Sequence, residues 1–229
     1  MPTQRLRTIV GDYNTKPGAL RLTTFLNTFA QRGLNHVVSI HGDKHYHATL
    51  QDITSGQFQD TMNTKVLPHI IVAQAAMAHV NNSAECSYSI VTGSMGQRCE
   101  KPDEALLCIA NAARYGVASA LRAQCHAEGK HARVPEMRIG CVVKRDAMME
   151  NPGFPGWKAC NASDVARFWA QQVARNSQAS DVVHVGEAEL GGTKGAQASQ
   201  QQQQGSVAGQ KGKVQVSISE RGDIQPREA

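Results

Sequence analysis

One pattern constrains this chain more than any other: strand-like runs alternate with helix-like stretches over most of its length. Residues 5–12 (RLRTIVGD), 34–42 (LNHVVSIHG), 86–94 (CSYSIVTGS), 137–143 (MRIGCVV) and 181–185 (DVVHV) are short and rich in β-branched or apolar residues, and several close on glycine, as strands do. Between the first two, Leu20, Phe25, Leu26 and Phe29 recur near helical spacing, and Gly33 stands where a C-terminal cap belongs. Residues 53–80 are helical again, with Pro68 kinking the helix or marking an irregular start. Residues 103–127 form a long helix, and the loop NPGFPGW leads into another, opened by Asn161 or Ser163 and running to about Ala174. Buried strands separated by helices build a parallel sheet covered on both faces. The expected fold class is therefore α/β, a doubly wound parallel sheet. Ligands on such sheets sit beyond the carboxyl ends of the strands, which places Gly42, Ser94 and the loop after Val143 along one rim.

The pattern stops after Val185. Residues 1–185 read as one domain; residues 186–229 are rich in Gln, Gly, Ser and Ala, include the run QQQQQ, and lack large apolar groups. Such a segment buries too little surface to offset its ordering entropy, so a disordered low-complexity tail is expected. The net charge of +5 is spread over scattered Lys and Arg, which favours a solvated surface over a nucleic-acid face. No run is long and apolar enough to span a bilayer, and MPTQRLRTIVGD has no signal-peptide core, so a soluble cytoplasmic protein with no membrane partner is expected. The six cysteines (86, 99, 108, 125, 141 and 160) contain no C-x-x-C pair. They read as reduced thiols, with Cys108, Cys125 and Cys141 as core residues.

The order of elements, with DITSGQFQDTMNTKVLPHIIVAQAAM, SIVTGSMG and NAARYGVASALRA in succession, resembles the short-chain dehydrogenase/reductase family over roughly residues 5–185. The resemblance implies a Rossmann-like fold, an NAD or NADP cofactor and a Ser, Tyr, Lys and Asn catalytic group. In that group a phenol near pKa 10 exchanges a proton with an alcohol or carbonyl at neutral pH, helped by an ammonium one helical turn away. Carried over residue by residue, the helix asparagine matches Asn63 and the strand-ending serine matches Ser94. The family's spacing places the tyrosine at Leu107 and the lysine at Asn111. Leucine has no proton to give, and asparagine carries no charge to lower a neighbour's pKa. No Tyr-x-x-x-Lys occurs anywhere; Tyr115, two turns beyond Leu107, is the nearest substitute, and helix packing is the better account of it.

Other departures agree. The chain begins at what corresponds to the third strand of the family, so the first strand–helix units are missing, and no glycine-rich turn precedes a helix. Asp12 matches an aspartate that contacts the adenine, one surviving cofactor contact. The helices at 56–80 and 103–127 match those that form the family's dimer bundle, and Ala112, Ala113, Gly116 and Ala120 permit close helix approach. Self-association, or pairing with a complete relative, follows. HGDKHYH sets His41, His45 and His47 close together, but the sequence shows no second cluster to complete a metal site, and none is assigned. Three readings remain: a catalytically degenerate binding or assembly subunit, a working oxidoreductase using Ser94, Asn63 and Tyr115, and a fragment without independent function.

Overall fold

A computed structural model describes residues 12, 14–41, 45–145, 159–171 and 181–185. The strand expected at 5–12, save Asp12, and the tail at 186–229 lie outside the described residues. Four strands form one parallel sheet in the order β1 (His36–Ser39), β2 (Ser87–Gly93), β3 (Glu136–Ile139) and β6 (Val182–Val185). Side chains alternate across it. Tyr88 and Ile90 of β2 point into a core made with α1 (Lys16–Phe29), α3 (Leu67–Ala76) and α4 (Ala105–Ala127), where Leu22, Leu26, Ala76, Ala118 and Leu121 pack. Val91, Met137, Val183 and Val185 enter a second core with Val165 and Trp169 of α5 (Ala162–Trp169). Both faces of the sheet are covered, as the apolar strands require.

Three local outcomes position the site. First, the helical stretch at 53–80 divides into α2 (Ser55–Lys65) and α3 at Val66, just before Pro68. The His69 N–H turns to the Val66 carbonyl, and Nε of Arg114 donates to the Lys65 carbonyl at 2.6 Å. Second, α1 ends at Phe29 with Ala30 as its cap, so Gly33 (φ +79°) serves the following turn rather than the helix end. Third, the stretch 137–143 is not one strand. β3 stops at Ile139, and Val142–Lys144 (β4) pairs in parallel with Ala159–Asn161 (β5) in a separate two-stranded sheet. The rim after β3 is therefore Gly140, not the loop after Val143; Gly42 lies outside the described residues.

The cysteine reading needs one correction. Cys141 and Cys160, 19 residues apart, form a disulfide beside the β4–β5 pair, while Cys86, Cys99, Cys108 and Cys125 are free. Spacing along the chain gave no sign of the pairing, because the parallel pairing of β4 with β5 is what brings the two sulfurs together. Among the described residues, no helix is long and apolar enough to cross a membrane.

Candidate functional site

The carboxyl end of β2 runs directly under α4. A Cβ at Gly96 would lie 2.5 Å from the Ala112 nitrogen, and one at Gly93 would lie 2.7 Å from Nδ2 of Asn111, so glycine at both places permits the close approach. That contact sets the chemistry. Asn111 is buried, and its side-chain oxygen accepts three hydrogen bonds: from the Thr92 hydroxyl at 3.2 Å, the Gly93 N–H at 3.2 Å and Nη1 of Arg114 at 3.3 Å. Arg114 is itself buried, and burial pushes its pKa down to about 10. Where the resemblance places an ammonium, this chain has a neutral amide tied to main chain and guanidinium.

One turn further on, the Tyr115 hydroxyl donates to the Gly93 carbonyl at 2.6 Å. The Arg138 guanidinium lies 3.6 Å from its ring centroid, a cation–π contact. Burial, with help from the Glu136 carboxylate and against the pull of Arg138, pushes the phenol up to about 12. Arg138 is held in turn by Glu136, fully buried on β3, through bonds of 2.6 and 3.1 Å, and Arg122 approaches the same carboxylate at 3.5 Å. Tyr115 is thus the end of a packed polar ladder running from α4 to β3.

The other sequence-derived positions fall as follows. Ser94 opens a short 3-10 turn (Ser94–Gly96) and faces Gly140, where an added Cβ would meet its Oγ at 3.2 Å. Leu107 is half-buried on α4, and Asn63 is exposed on α2. Asp12 belongs to the turn before α1: its carboxylate accepts from the Asn14 N–H at 3.0 Å and its carbonyl from the Thr15 hydroxyl at 2.8 Å. The amide bonds bring Asn111 to the rim beside Ser94; no hydrogen bond joins Asn63 or Leu107 to that group among the described residues. Arg114 and the Glu136–Arg138 pair were not foreseen. A single arginine inside the apolar run ALLCIANAARYGVASAL was the available signal for the first; nothing local marked the second.

Two further polar groups flank the rim. After β1, the Ser39 hydroxyl and Nδ1 of His69 share a hydrogen bond of 2.8 Å, with the His41 ring 4.9 Å away from that of His69. Burial first, then Arg114 and His41, pushes His69 down to about 2; burial and Arg114 push His41 to about 4. Separately, His45 and His47 both reach Glu104, at the start of α4. A carboxylate far along the chain thus stands beside two of the three histidines, brought in when Ala48 pairs with Glu104.

An α/β sheet of this order, with the site at its carboxyl rim, has the architecture of a Rossmann-like short-chain dehydrogenase fold. Neither a family model nor a curated protein matches the sequence. Solved structures do match in fold. A short-chain dehydrogenase from Burkholderia cenocepacia J2315 in complex with NADP is similar over 74% of this chain and 69% of that one, with a TM-score of 0.58 and 18% identity. A small-chain dehydrogenase in complex with NADPH matches 79% of this chain and 83% of its own length, with a TM-score of 0.60 and 18% identity. Another small-chain dehydrogenase matches 79% and 82%, with a TM-score of 0.58 and 20% identity.

Proposed function

We propose that the chain derives from NAD(P)-dependent short-chain dehydrogenases and is catalytically degenerate, acting as a binding or assembly subunit. One observation carries the reading: the polar side chains of α4 that reach the end of β2 have no proton to exchange near neutral pH. Asn111 has its oxygen committed to three donors. Tyr115 spends its hydroxyl on the Gly93 carbonyl, with its pKa at about 12. A general acid is effective when its pKa lies near the working pH, and none here does.

Titration with NADH and NADPH, followed by cofactor fluorescence, tests this, with turnover of alcohol–ketone pairs measured in parallel. The expected result is no turnover, with cofactor binding weak or absent. Micromolar binding together with turnover abolished by Ser94→Ala would establish the oxidoreductase alternative instead.

A second observation supports assembly. Between α3 and α4 runs a groove of about 420 Å³ lined by Ile70, Gln74, Met77, Val117 and Ala120. Gly116 and Ala120, one turn apart, are exposed beside it. Small residues on an exposed helix face allow a second helix to come close. We therefore propose pairing through these helices, with a second copy or with a complete relative. Sedimentation at micromolar concentration should show a dimer, and Ala120→Arg should shift it to monomer; a monomer throughout counts against self-pairing.

A further inference from the structure

We propose that His45, His47 and Glu104 form a binding site for a divalent first-row transition metal, of which Zn²⁺ is the best fit. The backbone supplies the arrangement. The bridge between Ala48 and Glu104 lays the segment at 45–48 against the start of α4, and the two imidazoles stack beside the carboxylate. Nε2 of His45 contacts the Glu104 carboxylate, Nδ1 of His47 lies 3.5 Å from its other oxygen, and one ligand atom from each residue falls within 4.8 Å of the others. Ligands about 2.0–2.2 Å from a tetrahedral zinc stand roughly 3.3–3.6 Å apart, so a small rotation of the imidazoles closes the set.

The carboxylate is the second, independent pointer. The Glu104 side chain is only 4% exposed, yet it makes no capping bond to the N-terminus of α4 and receives nothing from the described residues except the two imidazoles. A buried carboxylate needs a hydrogen-bonding partner or a cation. The two rings stack with centroids 4.5 Å apart, which keeps both imidazoles beside the carboxylate. Two imidazoles and one carboxylate suit zinc and its neighbours, whereas calcium and magnesium take oxygen ligands.

Three protein ligands leave at least one coordination position for water or a small anion. His47 is 62% exposed, so that position opens to solvent. The site also adjoins a cavity of about 530 Å³ lined by Thr49, Leu50, Cys99, Ala105, Cys108 and Ile109, since Thr49 and Ala105 each follow a residue of the Ala48–Glu104 bridge. The metal would bind the segment at 45–48 to a helix start more than fifty residues away, independently of any nicotinamide cofactor.

The test uses the full untagged chain, stripped with chelator and titrated with Co²⁺ and Zn²⁺. We expect one equivalent of Co²⁺ to bind with visible ligand-field bands and no thiolate charge-transfer band, and Zn²⁺ to displace it and raise Tm. His47→Asn, at a position 62% exposed, should weaken Zn²⁺ at least tenfold, and Glu104→Gln should weaken it further. Zn²⁺ affinity unchanged by His47→Asn overturns the proposal. So does binding lost in Cys99→Ser or Cys108→Ser instead, or failure of the wild-type chain to bind either metal at micromolar concentration.

Discussion

Replacing Glu136 with leucine is expected to lower the free energy of unfolding by about 3–5 kcal/mol, a large share of what a domain of this size has. The carboxylate is fully buried and holds Arg138 with two bonds while Arg122 stands 3.5 Å away. Leucine fills the space but removes the buried carboxylate facing two guanidinium groups only 14% and 23% exposed, of which Arg122 keeps its bonds to the Val134 and Asp181 carbonyls. Removing one member of a buried pair costs more than the pair itself contributes, because the remaining charge is stranded. Glu136→Gln keeps the shape and one acceptor, so its loss should be smaller. Urea denaturation with an unchanged m-value measures both. A loss under about 1 kcal/mol for the leucine variant would mean that the arginines find water and that the ladder is weaker than its geometry indicates.

Stability should also fall steeply as the pH drops below 6.5. His69 has an unfolded pKa of 6.5 and a folded value of about 2, so between those limits the unfolded chain binds a proton that the folded chain refuses. The sign follows: the penalty is absent above pH 6.5 and grows as pH falls towards the folded value. Each pH unit costs about 1.4 kcal/mol, so the descent from 6.5 to 4.5 removes up to about 3 kcal/mol through this one residue. His41, with a folded value of about 4, acts in the same direction over a narrower window, and its partial exposure reduces its share. The structural cause is local. Nδ1 of His69 is occupied by Ser39, its Nε2 is buried with no partner among the described residues, and Arg114 opposes any added positive charge. Thermal melts from pH 7.5 to 4.5 should show the fall, and His69→Gln should flatten it while lowering stability at neutral pH. An acid limb that survives the substitution unchanged would assign it to other groups.

What the sequence made legible was periodicity. The break before Pro68, the long helix at α4 and the strand ending in Ser94 all follow from local residue patterns and fall within a few residues of their expected places. The division of 137–143 was hidden because Gly140 and Cys141 interrupt an otherwise continuous apolar run, and only pairing decides which sheet each half joins. At the candidate site, spacing singled out Leu107 and Asn111 as positions of interest. What Asn111 does there was not legible. Its bonds to Gly93 and Arg114 depend on how close α4 lies to β2, a property of packing rather than of any local motif. Glu104 was out of reach for the same reason: 57 residues separate it from His47.

The three-donor arrangement around Asn111 bears on which side chains could take its place. Introducing lysine at position 111 would take the acceptor from Thr92, Gly93 and Arg114 together and set a second cation beside a guanidinium already short of solvent. Tyrosine at position 107 would not relieve that conflict, and Arg114 would have to change first. A cation at position 111 would therefore need compensating changes around Arg114, and the single substitution should lower stability.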